Sequence, residues 1–562
     1  MSFLDADERL ESRSPQRSQG SADFPRQLNR SQRSVVLLAA AASSACGLAT
    51  ELLLGGLTSY LVGDHALAYG VAVGGFLAAM GVGSYLSQFV AIAPDENFGK
   101  NSNKSSHRRN AEEKQSASQE FVQTIIRAFL RVELAMAPAI ALMPLGLFTL
   151  FVAGGWLWLG LGLSTLFLGI LAGMEVPLLT RLLERDSSVK DALAGVLALD
   201  YAGALVGAIA FPLILLPWLG MFPAAACLGA IPAIMVVAIA RAFRPLVPGA
   251  RDWGRLGLLI AMGLLVLAPL TVPLGNTLEN RLYKAAVIYR ETSQYQRIVL
   301  TQNEGDTRLF LDGDLQFSTA DEYRYHEALT YPVLGAVRSP KRVLLLGAGD
   351  GLALREILRW PGVEAITVLE LDPAVVELGR SHPTLVRANR RSFDDPRVSV
   401  EFGDAFQLVR DLPNTFDVVI ADFPDPDRDA LAKLYSDGFY RMLRSHLAPE
   451  GAMVTQASSP YFAPKAFACV AETLAATGFK TYPYRVDIPS FGPWGFVLAT
   501  NQAIALNQIE IPIESKFLTP ELLPALFALP KDEQWEPGSI QVNRLSHPVL
   551  PQYQRDRRWQ GY

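Results

Sequence analysis

Charge is the first thing this sequence lacks. Only 19% of its 562 residues are Asp, Glu, Lys or Arg, while 50% are hydrophobic; soluble domains ordinarily carry about 25% charge. The deficit is concentrated between about residues 34 and 275, and beyond about residue 290 the composition is that of a soluble α/β domain. One uniform soluble globule is thereby excluded. Cysteine is equally scarce. Cys46, Cys227 and Cys469 are three in number, and no pair has metal-ligand spacing. They read as small core residues rather than a disulfide framework or a metal site, so no metal is expected. A basic surplus is missing too: the net charge is −5, which gives no surface for nucleic acid.

Residues 1–33 are polar, rich in Ser, Arg and Gln, and without hydrophobic periodicity; they read as a disordered tail. The apolar run that follows is too long for a signal-peptide core. A bilayer-crossing helix needs about 20 mainly apolar residues. About seven such stretches occupy 34–275, near 34–60, 66–92, 124–152, 155–180, 191–218, 221–243 and 253–275. Stretches such as Gly155–Met174 have no polar face to offer water.

Lys and Arg crowd some connections, among them Lys100, Lys104, Arg108, Arg109 and Lys114, then Arg181, Arg185 and Lys190, then Arg241, Arg244, Arg251 and Arg255. The connections near 63–65, 153–155 and 219–220 hold none. The positive-inside rule puts the tail and the basic loops in the cytoplasm. Seven crossings would then leave the C-terminal half outside, although its chemistry calls for a cytosolic nucleoside. Either one stretch is re-entrant or split, or the count is off by one; the chemistry places the C-terminal domain in the cytoplasm. Glu51, Glu175 and Asp200 stand in or near the apolar runs. They read either as a cation path or as helix-to-helix hydrogen-bonding groups, with Glu175 near an interface because Pro177 and a basic loop follow it.

From Val343 onward apolar strands alternate with helices. Strands are expected at Val343–Leu346, Ala365–Leu369, Val398–Glu401, Phe416–Ala421, Ala452–Gln456 and near Phe496–Thr500. Helices are expected at Leu352–Trp360, Tyr435–His446 and about Pro464–Thr477. This order predicts a parallel sheet with crossover helices. Gly347-Ala348-Gly349-Asp350-Gly351, Glu370, Asp404 and Asp422 all follow strand ends. In open α/β sheets ligands bind at that edge. Glycines there let a backbone approach a ligand, and an acid about 20 residues on suits ribose hydroxyls, the place Glu370 occupies. The spacing lacks the third glycine of the dinucleotide fingerprint, which favours an adenosyl-sulfonium ligand with Asp404 and the Ala405 backbone beside the adenine.

Before the sheet come Tyr295-Gln296, then Leu311-Asp312-Gly313 followed by Gln316, an alternation with an Asp-Gly turn that suggests a small β-hairpin layer. Asp321-Glu322, Tyr325-His326-Glu327, Glu370-Leu371-Asp372, Gly403-Asp404-Ala405 and Asp422-Phe423-Pro424-Asp425-Pro426 follow. Together, over about 285–502, these segments resemble the spermidine synthase family, and the whole chain resembles its membrane-anchored branch. The expected architecture is an α-helical transmembrane domain over 34–275, then an α/β Rossmann-like, S-adenosylmethionine-methyltransferase-like domain over 285–502 preceded by the hairpin layer. A C-terminal extension, 503–562, wraps the domain.

The resemblance implies transfer of an aminopropyl group from decarboxylated S-adenosylmethionine, a co-substrate rather than a cofactor, to a diamine such as putrescine. It implies Asp422 as proton acceptor, and His326, Tyr325, Asp350 and Asp425 around the polyamine. Gln296, Gly347, Gly349, Glu370, Asp404 and Ala405 are implied around the nucleoside, Ile488–Gly492 along the pocket, membrane lipid as surroundings, and a homo-oligomer. Two departures stand out. Asp425-Pro426 continues as Asp427-Arg428-Asp429 where the family has Gly-Pro, and Ala348 replaces a frequent glycine, a change tolerable at negative φ. The rivals are a methyltransferase, disfavoured by the acids where a substrate carboxylate would sit, and a membrane transporter or sensor with an inactive synthase-like domain.

Overall fold

The computed structural model describes residues 28–62, 65–90, 107–184, 189–412 and 415–555. Most of the expected polar tail and the basic segment around Lys100 and Lys104 lie outside them. The chain divides into two compact units. One comprises 1–58 and 69–272; the other comprises 59–68 and 273–562.

Among the described residues of the chain, seven helices are long and apolar enough to cross a membrane: Arg30–Leu61, Ala68–Ser87, Ser118–Val152, Leu157–Leu183, Ala192–Leu219, Met221–Ala242 and Ala250–Tyr283. The first begins at Arg30, inside the expected tail, because helix propagation needs only backbone hydrogen bonds and extends past the apolar run. Likewise the helix His107–Val152 takes in much of the expected loop before residue 124. Close packing depends on glycine. A Cβ at Gly173 would lie 2.1 Å from the Met80 carbonyl oxygen, and one at Gly203 would lie 2.0 Å from that of Ala41. Gly169-x-x-x-Gly173 and Gly203-x-x-x-Gly207 are small-residue faces that let helix backbones touch. Leu163, Phe167, Leu205, Ile209, Leu213 and Leu259 are exposed instead, the reverse of a soluble bundle.

The second unit opens with a four-stranded antiparallel sheet: β1 (Ala286–Thr292), β2 (Arg297–Asn303), β3 (Asp306–Leu311) and β4 (Asp314–Ser318). The expected hairpin layer is thus larger by one strand, β1, at one edge. Asp312 and Gly313 turn β3 into β4 with φ of 52° and 96°, both left-handed as a two-residue hairpin turn requires.

The larger sheet has β5 (Arg342–Gly347), β6 (Ala365–Glu370), β7 (Val398–Phe402), β8 (Phe416–Asp422), β9 (Leu447–Gln456), β10 (Lys480–Ile488) and β11 (Gly492–Thr500), in the order β10-β11-β9-β8-β5-β6-β7. Strands β5 to β9 are parallel, as expected, but β11 runs antiparallel to β9 and β10 antiparallel to β11. The sheet is therefore mixed and Rossmann-like, of the methyltransferase type. Strand β10 went unforeseen because Pro483 and its charged neighbours interrupt an apolar pattern. At a sheet edge a missing N–H is tolerated. Order reverses between β5 and β8, the switch point at which open α/β sheets bind ligands. The stretch Ile488–Gly492 is the turn joining β10 to β11. Beyond residue 503 short helices, Leu522–Leu526 and Leu550–Arg555, join irregular chain whose Leu518, Leu523 and Leu550 pack into the domain core.

Candidate active site

The glycine-rich loop and Asp422 are brought side by side by strand register: Gly347 pairs with Asp422 across the parallel β5–β8 ladder. The loop turns sharply. Gly347, Ala348 and Gly351 have φ of 79°, 64° and 80°. The condition under which Ala348 would be tolerated, a negative φ, is therefore not met; the tight turn needs the left-handed region, where a Cβ costs about 1–2 kcal/mol. Gly349 serves a different need. A Cβ there would meet Glu370 Oε2 at 2.9 Å, so glycine keeps the loop against the end of β6.

Asp422, half-buried at the end of β8, accepts a 2.6 Å hydrogen bond on Oδ1 from the Tyr325 hydroxyl. Burial pushes its carboxyl up to about 6, against the lowering effects of His326 and Tyr325. Asp350, at the mouth of the glycine loop, accepts from the Leu352 amide at 2.8 Å and is likewise raised by burial, with His326 acting against it. Asp425 accepts from Ser458 Oγ at 3.1 Å and from Gln456 Nε2 at 3.4 Å. Three carboxylates thus gather near one strand edge with hydroxyl, amide and imidazole groups for company. Such a set suits a chain of ammonium groups and repels a carboxylate.

His326 lies on the helix Glu322–Gly335, one residue beyond Tyr325, and is 2% exposed. Its Nδ1 lies 2.8 Å from the Glu322 carbonyl and 3.0 Å from Glu322 Oε2. Burial works against the charged ring, but the Glu322 contacts and the nearby Asp350 and Asp422 leave it raised. Glu322 is in turn held by Arg355 through two hydrogen bonds, of 3.0 and 2.8 Å. Burial opposes its charge, yet His326 and Arg355 bring its carboxyl down to about 2. Glu322 and Arg355 were not anticipated as site residues. The four-residue step from Glu322 to His326 on one helix was the available signal.

Glu370, 9% exposed, accepts the Asp372 amide at 3.0 Å, and burial pushes it up to about 7 against that amide and the Leu371 amide. Gln296, in the turn between β1 and β2, donates at 3.0 Å to Asp372, which Ser293 also contacts at 2.7 Å. Asp372, quoted in the sequence but given no role, therefore ties the small sheet to the large one. Asp404 begins a short helix with Ala405 buried behind it. Its carboxylate is occupied by the Phe406 amide at 3.0 Å and by Lys433 at 2.5 Å. The chain at Gly403 donates 2.9 Å to the Glu370 carbonyl, which seats this element beside Glu370.

The segment on either side of Asp425 is braced by groups that sequence reading missed. Tyr435 donates to the Pro424 carbonyl at 3.0 Å, and Gln456 donates to the Phe423 carbonyl at 2.7 Å. Arg428 approaches Asp312 of the small sheet at 3.6 Å. The turn Ile488–Gly492 is fixed by Ser490, whose amide and hydroxyl donate to Asp321 at 2.7 and 2.9 Å, and it sets the Phe491 ring 6.2 Å from that of Tyr325. Among the described residues no group of three or more His, Cys, Asp and Glu has an arrangement to hold a metal ion.

Comparison with known proteins gives the family. Residues 322–509 match the spermine/spermidine synthase domain. A polyamine aminopropyltransferase of Oceanobacillus iheyensis is 35% identical over 540 residues, covering 94% of this chain and 98% of its own. Polyamine aminopropyltransferase 1 of Streptomyces coelicolor is 39% identical over 555 residues, covering 95% and 96% respectively. A crystal structure of spermidine synthase with the transition-state analogue AdoDATO is 29% identical, with a TM-score of 0.41, covering 43% of this chain and 85% of that one. The chain belongs to the spermine/spermidine synthase family. It is an aminopropyltransferase, and its apolar helices lie within the length it shares with those relatives.

Proposed function

We propose that this enzyme moves the aminopropyl group of decarboxylated S-adenosylmethionine to a diamine, putrescine, giving spermidine and methylthioadenosine. The observation that carries the residue roles is the gathering of Asp422, Asp350 and Asp425 at the switch point of the sheet, with the Tyr325 hydroxyl donating to the first of them. An amine must lose a proton to attack. Asp422, raised to about 6 by burial, is suited to take it. The nitrogen lone pair forms the N–C bond at the propyl carbon, the C–S electron pair returns to sulfur, and the sulfonium becomes the neutral thioether of methylthioadenosine. The proton passes to Asp422. Asp350 and Asp425, with His326, hold the ammonium ends; Tyr325 positions Asp422. Glu370 takes the ribose hydroxyls, with Gln296 and the backbone of Gly347 and Gly349 along the nucleoside and Asp404 and Ala405 at the adenine. Alignment of both reactants supplies much of the rate.

The setting proposed is the cell membrane, crossed by the apolar helices in contact with lipid, with the synthase domain in the cytoplasm where its nucleoside is made, and with a homo-oligomer as the assembled form. Purified enzyme given the decarboxylated donor and a panel of amines tests the reaction. Methylthioadenosine release with conversion of putrescine to spermidine is the expected result. Methylated products from intact S-adenosylmethionine instead would overturn it.

A further inference from the structure

The apolar unit contains a second carboxylate pair, for which aminopropyl transfer has no use. Glu133, on the helix His107–Val152, is 0% exposed, and Glu175, on the helix Leu157–Leu183, is 4% exposed. Ser43 of the first helix donates to Glu133 Oε1 at 3.1 Å. Glu175 is within hydrogen-bonding reach of the same serine and of Glu133, and Asp200 is within electrostatic range of Glu175. Glu175 is therefore a core residue and not the interfacial group its neighbours in sequence suggest. Glu133 was passed over in the sequence because Arg127 and Arg131 precede it and give that stretch the look of a polar helix end.

Two features mark this pair as a site. Glu133 Oε2 and Glu175 Oε1 are buried with no hydrogen-bond partner, and among the described residues neither carboxylate has an ion pair. Ala40, Leu130 and Leu179, each about a turn away on the same three helices, belong to the surrounding apolar core. Ser43 and Glu133 both lie near the middle of their apolar spans, Arg30–Leu61 and Ser118–Val152. An acid at such a depth is costly and is retained where it meets a cation. Two carboxylates this close cannot both be charged with nothing between them.

We propose that Glu133, Glu175 and Ser43 form a binding site within the apolar unit for the ammonium end of an aliphatic amine. A primary ammonium carries one charge and three N–H donors, matching three converging oxygen-bearing side chains. A divalent metal of the calcium or magnesium type asks for about six oxygens, more than the cluster offers. The methylene stem of such an amine suits apolar walls. The choice of a diamine as ligand rests on the proposed function; the site itself does not.

Labelled putrescine bound by the purified full chain in lipid nanodiscs provides the test. Wild type is expected to hold two amines per chain. Glu133→Gln and Glu175→Gln should each leave one, while aminopropyl transfer and thermal stability stay at wild-type values. Ser43→Ala removes an oxygen and no charge, and should weaken the same site by roughly ten-fold, which guards against a Gln variant that misfolds. One bound amine in wild type, unchanged in all three variants, overturns the proposal. If a variant with both Asp350→Asn and Asp425→Asn leaves both sites filled while Glu133→Gln empties one, the active-site assignment fails and this one stands.

Discussion

Asp422 and Tyr325 form the hydrogen-bonded pair to which the proposed mechanism gives the proton, and it can be probed one group at a time. Asp422→Asn removes the proton acceptor and should lower kcat by about 10²–10⁴-fold while methylthioadenosine still binds; rapid-quench kinetics and calorimetry read the two separately. The acid limb of the pH profile follows from a carboxyl raised to about 6. Below that value Asp422 is protonated and cannot accept, so kcat/KM should fall about ten-fold per pH unit. Tyr325→Phe removes a hydrogen bond that favours the charged carboxylate, and should move that limb to higher pH. Stability responds with the opposite sign. Asp422 and Glu370, raised to about 6 and about 7, contribute fully below their unfolded values near 4, and this contribution is lost as pH rises through 6 to 7. The ligand-free synthase half should therefore melt lower at pH 8 than at pH 5, with the gap narrowed by bound amine and nucleoside. Ala348, at φ 64°, supplies a plainer test: Ala348→Gly should gain about 1 kcal/mol, a melting shift of about 2–4 °C for a domain of this size. The acids at the strand ends were readable because they follow apolar runs at regular spacing. The sign of φ at Ala348, the Lys433 partner of Asp404, and the bracing by Tyr435 and Gln456 were not, since each depends on chain far away in sequence.

At the level of elements, periodicity served well where an element is buried on all sides. Strands β5, β6 and β8 match expectation to within a residue or so at each end, because a central parallel strand is a continuous apolar run; the edge strand β7 matches through the alternation of Val398 and Val400 with Ser399 and Glu401. Strand β10 was lost for the converse reason: an edge strand with Pro483 shows only half a pattern. The apolar helices were equally legible, since length and hydropathy suffice. How they pack was not, for glycine marks both flexibility and contact. The Gly203–Gly207 face against Ala41 and Ala45 makes the contact reading testable. Gly203→Leu should force the two helices apart, and the purified protein should lose heat resistance and gain protease cleavage. Gly162→Leu, with open space at its Cβ position, should change neither.

On the scale of the whole molecule, the seven apolar helices among the described residues convert a count into a statement about compartments. Seven is odd. If every helix crosses, the first residues of the chain and its catalytic domain meet different solutions, whichever way the protein is inserted. The Lys and Arg bias and the supply of nucleoside then cannot both set the orientation. Single cysteines placed at Ser18 and at Glu536 in a chain without its natural three, challenged in intact cells with a membrane-impermeant maleimide, make the choice. The site at 536 should stay unlabelled, and label at 18 would mean that an odd number of helices cross. Label at 536 would move the synthase to the far side of the membrane. The parity of a helix count would then carry a metabolic demand, because the sulfonium donor would itself need a way out of the cell.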